Sequence, residues 1–338
     1  MAAETNVPPR RSIGQRHIAR ALWYTEVNQL ELRTEQLSRN ASTPILIRTH
    51  YSALSRGTER LIFQGAVPQS EWHRMRAPHQ SGAFPFPVKY GYSAAGCVEQ
   101  GPDELLGQNV FCLYPHQDLF LASPDWLVPI PESVPLKRAT LAANMETALN
   151  AIWDSGATPA DHICVIGAGV VGLLVGHLAS CIPGTTVTIV DIAEHRSALA
   201  TALGMKFTAP NAAPDNADIV FHTSATAQGL TTAINCAGFE AAIIEMSWYG
   251  DRLVEVPLGG AFHSKRLRLI SSQVGHVSPS RRPRWPHKRR AIAAMALLNR
   301  PELDALVSTE ISFSDAVEKL PHIFSQEWTD LPPLISYT

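Results

Sequence analysis

Residues 163–172, ICVIGAGVVG, decide how this chain folds. A β-branched run enters the spacing Gly167-x-Gly169-x-x-Gly172, and a long apolar stretch follows to about Cys181. That order predicts a strand, a tight glycine turn and a helix, the opening of a βαβ unit. A second apolar run, TVTIVD, ends on Asp191, nineteen positions past Gly172, close to the separation such a unit expects of its acidic strand end. Gly167 permits the turn, Gly169 lets a diphosphate approach the backbone, and Gly172 lets helix and strand pack closely. The helix opens at Val170 and Val171 with free N–H groups and a partial positive charge, which suit phosphate. Asp191 accepts hydrogen bonds from ribose hydroxyls and repels a 2′-phosphate, so NAD(H) is expected over NADP(H). Arg196 is the nearby residue able to accommodate NADP. Residues 163–180 alone are apolar enough to suggest a membrane span, but their four glycines favour a buried strand–turn–helix.

Outward from this unit, helical and extended patterns alternate. LAANMETALNAIWDSG reads as a helix ended by Gly156, AQGLTTAINCAG as another helix, and DIVFHTS, AAIIEMSWYG and LRLISSQVG as strands. Upstream, residues 20–130 hold short β-like runs between turn signals, with a short helix expected near SEWHRMRA. Past residue 280 come a basic run, a helix near HKRRAIAAMALLN and a shorter one near FSDAVEKLPHIF. The expected fold class is α/β plus β. A doubly wound parallel sheet over 141–279 is set into a β-barrel domain of residues 1–140, completed by 280–338. A chain of 338 residues is long enough for two cores.

Composition narrows the function. A net charge of −2 gives no general pull toward nucleic acid or membrane. Five scattered cysteines without a CxxC pair argue against a disulfide framework and a cysteine-built zinc site. The opening MAAETNVPPRRSIGQR lacks the apolar core of a signal peptide. A cytoplasmic protein is expected.

With the β-rich part first and the βαβ unit near residue 160, the layout resembles the medium-chain dehydrogenase/reductase superfamily, the zinc-type alcohol dehydrogenases and their zinc-free relatives. The likeness runs from about Ala21 to the C-terminus, through Gly57-Thr58-Glu59, Gly91 to Gly96, Thr147, the glycine fingerprint and SSQVG. It implies a GroES-like barrel, a Rossmann domain and a site between them. It also implies a homodimer, paired through LRLISSQV. The zinc-bearing members place ligands where this chain has Arg56, Tyr92 and Ala143. None suits a cation, so the zinc-lacking branch is implied and no zinc is expected. Cys112 and His116 have ligand-like spacing but do not make a site alone.

Hydride transfer to a carbonyl builds negative charge on oxygen, and without a metal a fixed donor must meet it. Tyr92 is the expected donor, with Arg56 beside it as an orienting cation that lowers the Tyr92 pKa in the oxidative direction. The alternatives are a Tyr92 ring packed in the cleft wall and an Arg56–Glu59 pair. Glu59 is expected to brace the site loop, with Glu146 and His116 as proton-handling candidates. Thr147 and Ser271 to Gln273, Ser272 included, are the expected contacts at the nicotinamide end, and Ser247 and Gly250 are expected to contact the cofactor. The run SRRPRWPHKRR carries six Arg or Lys and is read as a solvated loop and helix start; if part of it reaches the cleft, an anionic substrate follows. The expected activity is zinc-independent hydride transfer between NAD(H) and a small secondary alcohol, ketone or aldehyde. An enone reductase is one alternative. A non-catalytic dinucleotide- or nucleic-acid-binding protein is the other.

Overall fold

The computed structural model describes residues 16–337. The first part is β-rich: β1 (Arg16–Glu26), β2 (Gln29–Ser38), β3 (Ile45–Ala53), helix α1 (Arg56–Phe63), β4 (Ser81–Gly82), β5 (Val88–Lys89), β6 (Ala94–Gln100), β7 (Asn109–Cys112), β8 (Leu119–Ala122) and β9 (Val128–Pro129). Helices α2 (Leu136–Ala139) and α3 (Ala142–Ser155) follow, and Gly156 ends α3 in the left-handed region at φ 68°, where glycine carries no Cβ penalty. Then come β10 (His162–Ile166), α4 (Val170–Ser180), β11 (Thr186–Val190), α5 (Ser197–Ala202), β12 (Lys206–Thr208), β13 (Ala217–His222), α6 (Ala227–Cys236), β14 (Ala237–Glu245) and β15 (Arg268–Ser271). The chain closes with α7 (His287–Leu297), β16 (Glu310–Ser312), α8 (Ala316–Ile323) and β17 (Leu334–Ser336).

These strands make three sheets. One has the order β12-β11-β10-β13-β14-β15 with every pair parallel, the doubly wound order whose switch point lies between β10 and β13. The second runs β16-β17-β3-β6-β7-β9 with β8 on β3, so the C-terminal strands close on a strand from the start of the chain. The third is β2-β1-β5-β4. The expected membrane-like stretch is β10, the glycine turn and α4, with Val165, Leu173, Leu174 and Val175 fully buried. No described helix is long and apolar enough to cross a membrane.

The sequence expectations fail at several edges. SEWHRMRA forms only a 3-10 turn at Gln69–Glu71, held between Pro68 and Pro78, where little apolar face is available to bury. The AAIIEMSWYG strand stops at Glu245, because residues 247–251 leave the sheet and cross to α1: Asp251 N–H donates to Ala66 O at 3.1 Å. LRLISSQVG stops at Ser271, and the Gln273 side chain folds back to accept the Gly275 N–H at 2.7 Å.

Candidate active site

At the glycine turn, Gly167 has φ 110° and a Cβ there would lie 2.8 Å from Thr223 Oγ1. A Cβ on Gly172 would overlap the Gly167 carbonyl oxygen. Both positions therefore require glycine for the close approach of β10, α4 and the end of β13. Asp191 grips the turn: Oδ2 accepts the Ala168 N–H at 2.5 Å and Oδ1 accepts the Ala193 N–H at 2.8 Å. Arg196 donates to Ala168 O at 3.0 Å and to Thr329 O, and stands 3.8 Å from Asp191. Val170 and Val171 begin α4, so their N–H groups have no acceptor within the helix.

Tyr92 is partly buried. Its ring meets Tyr90 edge-on at 5.9 Å, and its hydroxyl is paired with the Ser55 and Thr58 side chains. Burial pushes the Tyr92 phenol above its ordinary value, with Ser55 and Thr58 pulling the other way. The expectation of Arg56 as a cation beside this hydroxyl, lowering its pKa, is not met. The Arg56 guanidinium donates instead to the carbonyls of Ile323 (2.7 Å), Ser325 (2.6 Å) and Trp328 (3.2 Å), capping the end of α8. The pairing of Arg56 with Glu59 fails as well, because Glu59 is already saturated. Burial, then Arg60 and Arg196, bring Arg56 down to about 10.

Glu59 and His116 are sealed inside, each with no exposed side chain, and their contact is 3.0 Å. Glu59 also accepts from the Tyr24 hydroxyl (2.8 Å) and the Ser55 N–H (2.7 Å); His116 Nδ1 meets Ser52 Oγ (2.7 Å), which meets the Tyr337 hydroxyl (2.8 Å). Burial alone would raise the Glu59 carboxyl, but His116, Ser55 and Tyr24 outweigh it and hold it below the usual range. A Cβ on Gly91, at φ 116°, would sit 2.8 Å from the His116 ring, so this glycine admits the imidazole. His116 is thus a core histidine and does not reach a substrate.

Glu146 is not a free proton carrier either. It is buried and paired with Arg290 at 3.0 Å, while Arg290 also donates to Asn150 Oδ1 (2.8 Å) and Val274 O (2.6 Å). Five cations of the run 281–290 are exposed as expected, but Arg290 is buried. Thr147 donates to Ala143 O at 3.1 Å within α3, and Ser272 donates to Asp154 at 2.7 Å. Ser247 accepts the Ala225 N–H at 3.1 Å. Gly250, at φ 69°, faces Ala66 O, which a Cβ would approach to 2.5 Å.

The sequence reading missed two groups. One is a polar cluster around His222 and Glu245, whose signal was available: both residues lie within consecutive predicted strands of one parallel sheet. The other is a set of guanidiniums. Arg60 on α1 has no acceptor among the described residues, and burial and then Arg252 lower its pKa. Among the described residues Arg252 donates only to carbonyls, Tyr249 O (3.1 Å) and Ala225 O (3.4 Å). The guanidiniums repel one another, Arg56 with Arg60 and Arg196, and Arg60 with Arg252, and of them Arg196 stands 3.8 Å from Asp191.

Zinc does not suit the positions that hold it in zinc-bearing relatives. A guanidinium, a phenol and a methyl group offer no thiolate, imidazole or carboxylate, and no group of three His, Cys, Asp or Glu among the described residues could hold a metal ion.

No family model matches the chain. A curated relative, D-guloside 3-dehydrogenase of Escherichia coli K12, is 22% identical over 306 residues, covering 81% of this chain and 87% of its own length. Among solved structures, L-idonate 5-dehydrogenase from Escherichia coli superposes with a TM-score of 0.76 at 13% identity, covering 96% of this chain and 100% of that one. An alcohol dehydrogenase from Escherichia coli CFT073 complexed with NADH gives 0.73 at 14% identity, covering 95% and 99%. The chain is similar in sequence to that curated dehydrogenase and shares its fold with these solved dehydrogenases.

Proposed function

We propose that the chain moves hydride between NAD(H) and a secondary alcohol or ketone of a small polyol-like substrate, without a catalytic zinc. The observation that carries this reading is the glycine turn gripped by Asp191 at the switch point. Such a turn, with the α4 N-terminus, suits a diphosphate, and the under-neutralised guanidiniums Arg60, Arg196 and Arg252 add positive potential there. Asp191 favours NAD(H), because its carboxylate suits ribose hydroxyls and repels a 2′-phosphate. The substrate class follows the relatives, whose names concern sugars and polyols.

When bound, the nicotinamide supplies or takes the hydride. The chain provides a donor: Tyr92 is kept protonated by burial, and Ser55 and Thr58 hold its hydroxyl in place to meet the substrate oxygen. Burial raises its pKa, so the hydroxyl stays protonated and can donate to a forming alkoxide. Strand β15 is an edge of the parallel sheet with Leu269 exposed, and pairing of two copies along it is part of the proposal.

The experiment is NADH consumption with a panel of ketoses, simple ketones and matched enones, alongside elemental analysis. Activity on the ketones with well under one zinc per chain supports the reading. Activity confined to enones replaces it with double-bond reduction. Stoichiometric zinc needed for turnover removes the metal-free mechanism.

A further inference from the structure

The ends of β13 and β14 meet in a cluster of side chains that the proposed hydride step does not use. His222, its side chain fully enclosed, places Nδ1 2.8 Å from Glu245 Oε2 and Nε2 2.8 Å from Ser224 Oγ. The Tyr249 hydroxyl donates to the same Glu245 oxygen at 3.2 Å, and the other oxygen accepts the Ser247 N–H at 2.8 Å. Burial and then Glu245 raise the Tyr249 pKa, so it remains a donor.

A carboxylate receiving Tyr249 and Ser247 accepts from His222 as well, so the imidazole donates from Nδ1, and its Nε2 is bonded to the Ser224 hydroxyl. Ser224 Oγ lies 3.1 Å from Thr226 Oγ1, whose own oxygen caps the Gly229 N–H at 3.0 Å. Ala225, at φ 53°, is held in that uncommon backbone region by Ser247 Oγ. Gly229 of α6 leaves the room this needs: a Cβ there would overlap Ser224 Oγ and come within 2.8 Å of His222 Nε2. One imidazole therefore ties loop 223–226 to loop 246–249.

In a doubly wound sheet the strands on this side of the switch point receive the second mononucleotide, and β10 and β11 receive the adenosine half. We infer that His222 is a positioning residue for the nicotinamide half of the dinucleotide, holding the two loops in the shape that receives it. The inference rests on the dinucleotide reading above. It predicts an asymmetry that a general structural role does not: loss of His222 penalises ligands that reach the nicotinamide side and spares those confined to Asp191 and the glycine turn.

The test compares NADH with ADP-ribose, which lacks the nicotinamide, by calorimetry on the full chain and on His222→Phe and His222→Asn, with KM and kcat on any active ketone. His222→Phe is expected to weaken NADH about tenfold, the scale of one buried hydrogen bond, while ADP-ribose stays within about twofold. KM for NADH rises with it, and kcat changes less. His222→Asn, whose amide N–H replaces the Nδ1 donor to Glu245, recovers most of the loss. Should His222→Phe not fold, His222→Asn and Ser224→Ala carry the same comparison, each with a smaller NADH-specific loss. Equal losses for both ligands, or none for either, overturn the inference while leaving the dinucleotide reading standing. Wild-type chain that binds neither ligand overturns both.

Discussion

Two histidine–carboxylate pairs, one in the β-rich part and one in the parallel sheet, differ in where their outer bonds lead. Glu59–His116 is closed on all sides: its further partners, Tyr24, Ser55, Ser52 and Tyr337, are buried or part-buried, and neither side chain of the pair is exposed. His222–Glu245 encloses its imidazole but leaves Glu245 partly open, and its outer bonds run to two loops at the strand tips. The lesson is that a short histidine–acid contact near a cleft is not by itself catalytic machinery. The first pair fixes a core. The second shapes a surface that a ligand can touch.

The sharpest way to break this contrast is Glu59→Ala. Removing one partner of a buried pair strands His116, Tyr24 and the Ser55 N–H, at a cost of about 3–5 kcal/mol, read as a large fall in Tm with no preference between NADH and ADP-ribose. Next comes Tyr92→Phe, expected to lower ketone turnover about a hundredfold, the lower end of general-acid contributions, with NADH affinity unchanged. Unaltered turnover makes Tyr92 a packing residue. Glu245→Gln should cost about 1–3 kcal/mol as the bonds from His222 and Tyr249 weaken, and unlike Glu59→Ala it should depress NADH binding more than ADP-ribose.

The smallest effect is in the acid limb of stability. The Glu59 carboxyl lies below its ordinary value of 4.5 in the folded chain, so its stabilisation is present above that value and lost as pH falls through the lower folded one. Glu146 is raised, chiefly by burial, so its charge opposes folding at neutral pH and that penalty eases as pH falls toward the carboxylate range. Urea midpoints between about pH 3 and 7 should fall less steeply with acid in Glu59→Gln and more steeply in Glu146→Gln than in the parent chain.

Local physics was readable from the sequence where a few adjacent residues settle the matter. The turn at Gly167 to Gly172 needs glycine because of its own backbone and of Thr223, and the alternating strands and helices around it follow from periodicity. The partners of charged side chains were not readable. Arg56 caps carbonyls 267 residues away, and Arg290 finds Glu146 at a separation of 144. Sequence position placed Arg56 beside Tyr92 correctly in the backbone, but a long side chain on a flexible stem goes to whatever acceptors the far end of the chain presents. His222 shows the opposite case, where the bond partners lie 2 and 23 residues away and strand order alone would have brought them together.

The strap at Trp248 to Asp251 constrains how the molecule can gape. Gly250 lies against Ala66, Asp251 is bonded to it, and Trp248 packs into the cluster holding Leu54, Ile62 and Phe63. A wide swing between the parallel sheet and the barrel would have to draw that indole out of its socket. Traffic of small molecules is therefore expected to use fluctuations at the rim, and loosening the strap by Trp248→Ala would change turnover frequency before it changed which compounds are accepted.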